Sequence, residues 1–541
     1  MQIGKYLIEK LIRGGVKHVF GVPGDFVLGF YDLLQKSPIK IINTCDEQGA
    51  GFAADAYARL NGLGCVCVTY GVGGLKIVNT TAEAYAEKSP VIVISGAPGV
   101  EEIKGDPLLH HRTAHFDDQR RIFERITVAS VYLGDPNTAC ADIDHAFETA
   151  TRLKRPVYIE LPRDRVNSLV KSKSKTPKFP TQSDPQALHE ALEEAVDMIN
   201  GARKPVILAG VEMHRFGLQK QLIELVEKTN IPVAATILGK SVVSESMPRY
   251  LGVYEGGMGH DDVRKYVESS DCLILLGAML TDINLGIYTA HLNYTKMISA
   301  TTERLTVHHH HYDQVQLKDF VNGLLQAKLK KRPMKNIPHP LPPKAFFAAN
   351  RKITTNRVFE CLNSFIEDDT MVVADVGDAL FGAIDLYIAT KTEFISPAYY
   401  ASLGFGVPGA LGAYLAKPKL RPLVIVGDGA FQMTGMELST IARFGLNPIV
   451  VVINNKGYGT ERPMMDGAFN DILNWEYSKL PALLGTGKGY KVTTEKGLVS
   501  ALQSAKNNKS TFSILDVVLE KHDYTKVLRQ LTKGISKKIK K

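Results

Sequence analysis

Short runs of β-branched and other apolar residues alternate along the whole chain with longer segments of helix-like pattern. The runs include HVFGV, CVCVTY, VIVISG, PVYIEL, PVILAG, CLILLG, MVVADVG, LVIVGDG and IVVVINN. Nearly continuous apolar runs of this length are typical of strands buried on both faces, and their alternation with helices is typical of parallel sheets covered by helices. The pattern therefore predicts an α/β fold.

Two polar, proline-bearing stretches interrupt this alternation. Residues 171–186 have the sequence KSKSKTPKFPTQSDPQ, and residues 332–344 have the sequence RPMKNIPHPLPPK. Both compositions are typical of linkers between domains. Division at these stretches predicts three domains, each a mostly parallel sheet covered by helices, at 1–170, 187–331 and 345–541.

Charge and composition exclude several classes of protein. The 541 residues are 45% hydrophobic and 22% charged, which is typical of a globular protein. The net charge of +9 has one concentrated run, the tail Lys533–Lys541, which we interpret as solvated, so nucleic-acid binding is not expected. No segment approaches the ~20 apolar residues of a membrane span. The six cysteines form no CxxC motif, which favours a reducing compartment and predicts a cytoplasmic protein.

The most informative segment follows two neighbouring apolar runs near the carboxyl end. One run ends in the tripeptide GDG at residues 427–429, and the next ends in two asparagines at residues 454–455. Glycine lets the backbone approach a phosphate closely, and the start of a helix presents free N–H groups to an anion. Adjacent parallel strands end at the same edge of a sheet, so Asp428 and Asn455 are expected to converge. Their hard oxygen donors suit Mg2+ beside a diphosphate.

A GDG followed by 24 residues and two asparagines resembles the signature of thiamine diphosphate enzymes. The resemblance implies the thiamine diphosphate-binding fold of decarboxylase type, with thiamine diphosphate and Mg2+ as cofactors. It implies that Asp428, Asn455 and the carbonyl of Gly457 bind the metal. The other residues implied to contact the cofactor on this side are Asp378, Gly427, Gly429 and Ala430.

A second motif, NTCDEQGAGFAADAYAR, places Glu47 at the start of a helix of small residues. In the family, a glutamate here hydrogen-bonds the pyrimidine ring and favours the imino tautomer, whose exocyclic nitrogen removes the acidic proton of the thiazolium. The alternative for Glu47 alone is a carboxylate stabilised by the helix dipole. Asn79 also matches a family position that contacts the cofactor.

Three further segments resemble the pyruvate decarboxylase and indolepyruvate decarboxylase branch of the family. GVPGDFVLGFYDLL contains Asp25, PLLHHRTAHF contains His110 and His111, and NNKGYGTE contains Glu461. In that branch, such side chains form a polar cluster at the thiazolium, where they handle the substrate carboxylate and the proton that replaces it. The continuation HHRTAHF departs from the usual family pattern after the histidine pair.

The segment ISPAYYASLGFGVPGALGA resembles the family segment that bends the cofactor into a V shape. The resemblance makes Leu403 the apolar wedge between the two rings and the Ala401 carbonyl an acceptor for the pyrimidine amino group. A plain core position is the alternative for Leu403. Among the predicted substrate-pocket residues, a leucine at 380 replaces a bulky indole of the pyruvate-specific pattern, which predicts a pocket wide enough for branched or aromatic 2-keto acids. The predicted pocket residues are Val376, Leu380, Thr460 and Met464.

The predicted function is the non-oxidative decarboxylation of a small 2-keto acid to an aldehyde and CO2. One alternative is a carboligase of the acetolactate synthase type, which shares the cofactor signature but is not expected to carry His110, His111 and Glu461 together. The other is a noncatalytic thiamine diphosphate-binding protein, against which the intact Glu47 argues.

The resemblance also bears on assembly and on the middle unit. Family members build each site from two subunits, which implies a homodimer or homotetramer with shared active sites. A structural or regulatory role is implied for the middle unit. Its run His308–His311 offers four imidazoles for a metal, but adjacent residues rarely form a closed tetrahedral site, so we expect an exposed loop there.

Overall fold

The chain forms three successive α/β units, each built on its own sheet. In the computed structural model, the described residues are 1–170, 182–334, 336–389 and 393–539, with side chains described up to residue 532. Residues 171–181 of the first predicted linker and the side chains of the predicted basic tail lie outside this part of the chain. Within it, the sheets have six, seven and six strands. The predicted three-unit α/β fold is confirmed.

The N-terminal unit holds a parallel sheet with the strand order β2-β1-β3-β4-β6-β5. Its strands are β1 (His18–Gly21), β2 (Lys40–Asn43), β3 (Gly64–Val68), β4 (Val91–Ala97), β5 (Ser130–Tyr132) and β6 (Val157–Pro162). Its helices are α1 (Ile3–Arg13), α2 (Leu28–Gln35), α3 (Glu47–Asn61), α4 (Val72–Lys76), α5 (Val78–Ala86), α6 (Asp118–Glu124) and α7 (Ala139–Leu153). Every residue of β3 and β4 is buried, which explains their unbroken apolar pattern.

The middle unit is mixed, with the strand order β13-β12-β11-β10-β7-β8-β9. Its strands are β7 (Pro205–Ala209), β8 (Val233–Ala235), β9 (Tyr250–Val253), β10 (Cys272–Leu276), β11 (Met297–Ala300), β12 (Leu305–Val307) and β13 (His310–Tyr312). Its helices are α8 (Pro185–Gly201), α9 (Val211–Arg215), α10 (Gln219–Thr229), α11 (Asp261–Glu268) and α12 (Leu317–Gln326). Helix α8 begins inside the predicted linker because Asp184 caps it by accepting a hydrogen bond from Ala187 N.

The C-terminal unit holds a second wholly parallel sheet, with the strand order β15-β14-β16-β17-β19-β18. Its strands are β14 (Thr370–Ala374), β15 (Glu393–Ile395), β16 (Arg421–Gly427), β17 (Ile449–Asn454), β18 (Lys488–Val492) and β19 (Ser513–Val518). Its helices are α13 (Thr355–Phe365), α14 (Asp378–Ala383), α15 (Gly406–Ala416), α16 (Asp428–Thr434), α17 (Leu438–Arg443), α18 (Leu480–Leu484), α19 (Glu495–Asn507) and α20 (Lys526–Ile539). Among the described residues, no helix is both long enough and apolar enough to cross a bilayer.

The histidine run of the middle unit is not the loop that its sequence suggests. Strands β12 and β13 pair antiparallel across it, with Val307 opposite His310, so the run forms the turn and second strand of a hairpin. Its histidines are exposed, as predicted. Three of the imidazoles bond to separate neighbours, which are Thr295, Glu194 and Thr306.

Helix α3 packs against helix α15 and joins the N-terminal unit to the C-terminal unit. At the end of α3, the buried guanidinium of Arg59 lies 2.7 Å from Asp55 Oδ2 and 2.8 Å from Glu87 Oε2. Its Nη1 also donates to the carbonyl of Ser396, at 3.0 Å, in the C-terminal unit. These charged groups are buried away from solvent, so each depends on its ion-pair partner for stabilisation.

We expect Arg59→Met to destabilise the fold by about 3–5 kcal/mol, because it leaves buried carboxylates without their cation. The measurement is the midpoint of thermal unfolding. The matched control is Lys36→Met, which removes an exposed pair with Asp32 and should cost less than about 1 kcal/mol. Equal midpoints for the two variants would contradict the assigned role of Arg59.

Candidate active site

A cavity of about 260 Å3 lies at the carboxyl edge of the C-terminal sheet. Strand β16 ends at Gly427, its parallel neighbour β17 ends at Asn454, and the chain leaves both at this edge. Asp428 and Asn455 therefore converge on the cavity wall, where the pattern of the sequence predicts them. Of the residues predicted from the C-terminal half, those that line the cavity are Val376, Asp378, Ala401, Leu403, Gly427, Asp428, Gly429, Ala430, Asn455, Gly457, Thr460 and Glu461.

Asp428 is a buried carboxylate with hydrogen-bond capacity left over. Its Oδ1 accepts from Gly429 N at 2.9 Å, and its Oδ2 accepts from Gly457 N at 3.1 Å. Burial raises the pKa of Asp428 to about 6, against which these backbone N–H groups act. A carboxylate desolvated in this way is a strong ligand for a cation.

Asn455 supplies the second oxygen at this edge. The residue is 5% exposed, and its Oδ1 is buried without a hydrogen-bond partner in the described part of the chain. An unpaired buried amide oxygen is costly, so a ligand group is expected to face it. At Gly427, an added Cβ would meet no atom within 4 Å. The donors and the open space together fit a hard cation with a phosphate beside it.

Asp378 lines the cavity, but its carboxylate is bound by Thr525, which does not line the cavity. Thr525 N donates to its Oδ2 at 3.1 Å, and the Thr525 hydroxyl donates to its Oδ1. Burial raises the pKa of Asp378 to about 6. These bonds position the start of α14 at the cavity wall.

The predicted substrate-pocket residues divide into two groups. Val376 and Thr460 line the cavity. Leu380 is 1% exposed and belongs to a hydrophobic core cluster. Met464 lies in the turn after Glu461, closed by a 2.9 Å bond from Met464 N to the Glu461 carbonyl. Tyr458, whose ring packs against Gly429, also lines the cavity and was not predicted from the sequence. Its place between Gly457 and Glu461 is the signal that could have revealed it.

The N-terminal unit carries a separate polar cluster built from predicted site residues. Asp25 Oδ2 lies 2.9 Å from His110 Nε2 and accepts a 3.3 Å hydrogen bond from Arg163 Nη1. One side-chain ligand atom each from Asp25, His110 and His111 lies within 4.8 Å of the others. His111 has a φ of +66°, and its carbonyl packs against Gly71, where a Cβ would come within 2.3 Å of it. The three predicted residues are therefore neighbours.

Glu47 is the first residue of α3 and is 12% exposed. Asp46 caps the helix by accepting from Gln48 N at 2.8 Å. The ammonium of Lys76 lies 2.8 Å from Glu47 Oε2 and also contacts Asp46. This lysine was not predicted from the sequence, because 29 positions separate it from Glu47.

Glu437 joins the two halves from the C-terminal side. It is 2% exposed, and its Oε1 accepts from Cys45 N at 3.0 Å and from Asp46 N at 3.2 Å. Asn79 makes a second link, since its Nδ2 donates to Ser402 Oγ at 2.7 Å. Ser402 stands between Ala401 and Leu403. Within one chain, these bonds tie the segments that carry Glu47 and Asn79 to the C-terminal unit.

Comparison with known proteins gives three matches to one family. The thiamine pyrophosphate enzyme N-terminal TPP binding domain matches residues 1–122, the central domain matches residues 192–327, and the C-terminal TPP binding domain matches residues 375–517. The chain belongs to the thiamine pyrophosphate enzymes. Within this family, the chain belongs to the 2-keto acid decarboxylases.

Relatives of this thiamine pyrophosphate enzyme match it from end to end. It is 35% identical to the indole-3-pyruvate decarboxylase of Azospirillum brasilense, with 99% of this chain and 98% of that protein covered. It is 31% identical to a probable pyruvate decarboxylase of Schizosaccharomyces pombe, with 99% and 97% covered. It is also 31% identical to the alpha-keto-acid decarboxylase of Mycolicibacterium paratuberculosis, with 99% and 96% covered.

We expect Glu437→Ala to loosen the start of α3, because Cys45 N and Asp46 N lose their acceptor. The measurement is amide hydrogen exchange, which should speed up at residues 45 and 46. Glu437→Gln is the control, since it keeps the oxygen that accepts both bonds and should exchange at nearly the native rate. Equal exchange in the alanine variant and the native protein would show that Glu437 does not position Glu47.

Proposed function

We propose that this chain catalyses the non-oxidative decarboxylation of a 2-keto acid to an aldehyde and CO2, with thiamine diphosphate and Mg2+ as cofactors. The observation that carries the proposal is the cavity at the ends of β16 and β17, where buried Asp428 faces the same space as the unpaired Oδ1 of Asn455. Membership of the family supports it.

Each half of the site has a distinct task. Asp428, Asn455 and the Gly457 carbonyl would hold Mg2+, while the backbone at Gly427, Gly429 and Ala430 would hold the diphosphate. Leu403 would separate the two rings, and the Ala401 carbonyl would accept from the pyrimidine. When bound, thiamine diphosphate supplies a nucleophilic carbon and an electron sink. The chain itself supplies orientation and proton transfer.

The acid and base groups of the chain act around that carbon. Glu47 would hold a proton at the pyrimidine nitrogen. Asp25 orients the His110 ring through their 2.9 Å contact, and an imidazole can donate or accept a proton near neutral pH. His111 and Glu461 would complete the group that binds the substrate carboxylate and delivers the proton to the product carbon.

The working form is proposed to be a homodimer or homotetramer with shared sites. Among the described residues that line the cavity, none comes from the N-terminal unit, so Glu47 is expected to complete the cavity of a partner subunit. Exposed apolar side chains occur in both units, at Val72 and Leu75 in α4, at Met433 in α16 and at Met436 in the turn after it. Such exposed apolar side chains on both units support an interaction surface with a second subunit.

We extend the proposal to location and substrate. All six cysteines are unpaired, which supports a reducing compartment and a cytoplasmic protein. Leu380 directly follows Ala379, which lines the cavity, and its place where the pyruvate-specific pattern has a bulky indole supports a pocket for branched or aromatic 2-keto acids as well as pyruvate.

The decisive test is a coupled assay with alcohol dehydrogenase over pyruvate, 2-ketoisovalerate and phenylpyruvate. We expect aldehyde from all three, and we expect Glu47→Gln to lower kcat by about 100-fold or more through loss of its proton transfer. Acetolactate or acetoin as the main product would favour a carboligase. Bound cofactor without turnover on any acid would show a noncatalytic binding protein, and strict preference for pyruvate would refute the wide pocket.

The raised pKa of Asp428 predicts a pH-dependent affinity for the cofactor. Only the carboxylate form binds Mg2+, so protonation below pH 6 competes with the metal. We expect the affinity for thiamine diphosphate with Mg2+, measured by calorimetry, to fall about tenfold for each unit of pH below that value. Asp428→Asn should bind weakly at every pH between 5 and 7; an unchanged pH profile in this variant would assign the titration to another group, such as Asp378.

A further inference from the structure

A second large cavity lies in the middle unit and shares no lining residue with the proposed active site. Its volume is about 400 Å3, and it opens at the amino ends of the neighbouring parallel strands β7, β8 and β9. Arg203 and Lys204 precede β7, Asn230 precedes β8 and Arg249 precedes β9. Ligands of open α/β sheets usually bind at the carboxyl edge, so the fold alone does not account for this cavity.

The lining of the cavity is strongly cationic. Arg203, Lys204, Arg249 and Arg332 contribute to it, and among the described lining residues there is no carboxylate. The carboxylate of Asp271 accepts from the backbone N–H groups of Arg203 and Lys204, at 2.8 and 2.7 Å, and offsets part of this charge. Burial lowers the pKa of Lys204, and Asp271 opposes this shift.

The cation of Arg332 is held in place by neutral groups. Its Nη1 donates to the carbonyl of Ala202 at 2.9 Å, and its Nη2 donates to the carbonyl of Ile199. Its Nε is buried with no hydrogen-bond partner in the described part of the chain. Carbonyl groups orient a guanidinium without neutralising it, so a net positive charge remains at the cavity wall.

Two of the other cations, those of Arg249 and Lys204, are also held by the surrounding structure. Arg249 is 6% exposed, and its Nη1 donates to Met334 Sδ at 3.1 Å. The Lys204 ammonium lies 3.9 Å from the centre of the Tyr266 ring, an aromatic contact that favours one position for the cation. Groups ordered before binding lose less entropy when a ligand arrives.

We propose that this cavity binds a small organic molecule carrying several phosphate or carboxylate groups. Guanidinium groups match both kinds of oxyanion through paired N–H donors. A volume of about 400 Å3 lies within the range of small-molecule sites and greatly exceeds that of a single inorganic ion. A polyanion would also relieve the repulsion among the four like charges.

The test is calorimetry on the full chain saturated with thiamine diphosphate and Mg2+, so that the diphosphate position of the active site is filled. The probes are ATP, inorganic pyrophosphate and citrate, each with excess Mg2+. We expect at least one probe to bind and to raise the midpoint of thermal unfolding by mass action. Binding of ATP and pyrophosphate without citrate identifies phosphate chemistry, and binding of citrate alone identifies carboxylate chemistry.

Two variants and one control assign the binding to this cavity. The double variant Arg203→Gln with Lys204→Gln, and separately Arg249→Gln, should raise Kd by about tenfold or more. Lys318→Gln is the control, because it removes one exposed charge from α12 of the same unit and should leave Kd unchanged. Absence of binding by all three probes, or equal weakening by the control, overturns the proposal. Aldehyde release without any probe should be the same in all variants, which separates this proposal from the proposed decarboxylase function.

Discussion

The close packing of helix α3 on helix α15 is the constraint on which the placement of the site depends. An added Cβ at Gly412 would come within 1.9 Å of the Ala53 carbonyl, and one at Gly49 would come within 2.2 Å of Glu437. Only residues without side chains allow this approach, which lets Glu437 reach the backbone ahead of Glu47. The small residues of α3 therefore do more than define the motif around Glu47. They are also required for the close packing of the N-terminal unit on the C-terminal unit.

Buried aspartates line the carboxyl edge of the C-terminal sheet and hold its loops. Asp375 is fully buried and accepts from Gly404 N at 3.2 Å and from Gly406 N at 2.7 Å. Burial raises its pKa to about 6, as it does for Asp378 and Asp428. The same desolvation thus serves two purposes, because Asp375 fixes the segment that carries Leu403 while Asp428 keeps oxygen capacity free for a cation.

The residues at the carboxyl edge of the C-terminal sheet could be predicted from the sequence, because strand periodicity, the GDG tripeptide and the two asparagines are features of short segments. Contacts between segments that are distant in the sequence could not be predicted in this way. Glu437 bonds to Cys45 across 392 positions, and Asp378 bonds to Thr525 across 147. Nothing in either segment specifies its partner, because the choice depends on how whole units pack. The histidine hairpin was predicted as a loop for a different reason. Its strand β13 has only three residues and lies exposed at a sheet edge, so no alternation of apolar residues marks it as a strand.

The Glu47 carboxylate pairs with Lys76 within a single chain. In the proposed shared site, the same carboxylate would instead bind the pyrimidine ring of the cofactor. The Lys76 side chain is 48% exposed, so solvent screens this ion pair from the side of the lysine. Replacing that partner by a ring nitrogen therefore costs little, especially since Lys76 keeps its contact with Asp46. The helix cap and Glu437 fix the backbone on both sides of Glu47, and the lysine neutralises its carboxylate. We infer that the backbone of α3, more than this ion pair, determines where Glu47 points.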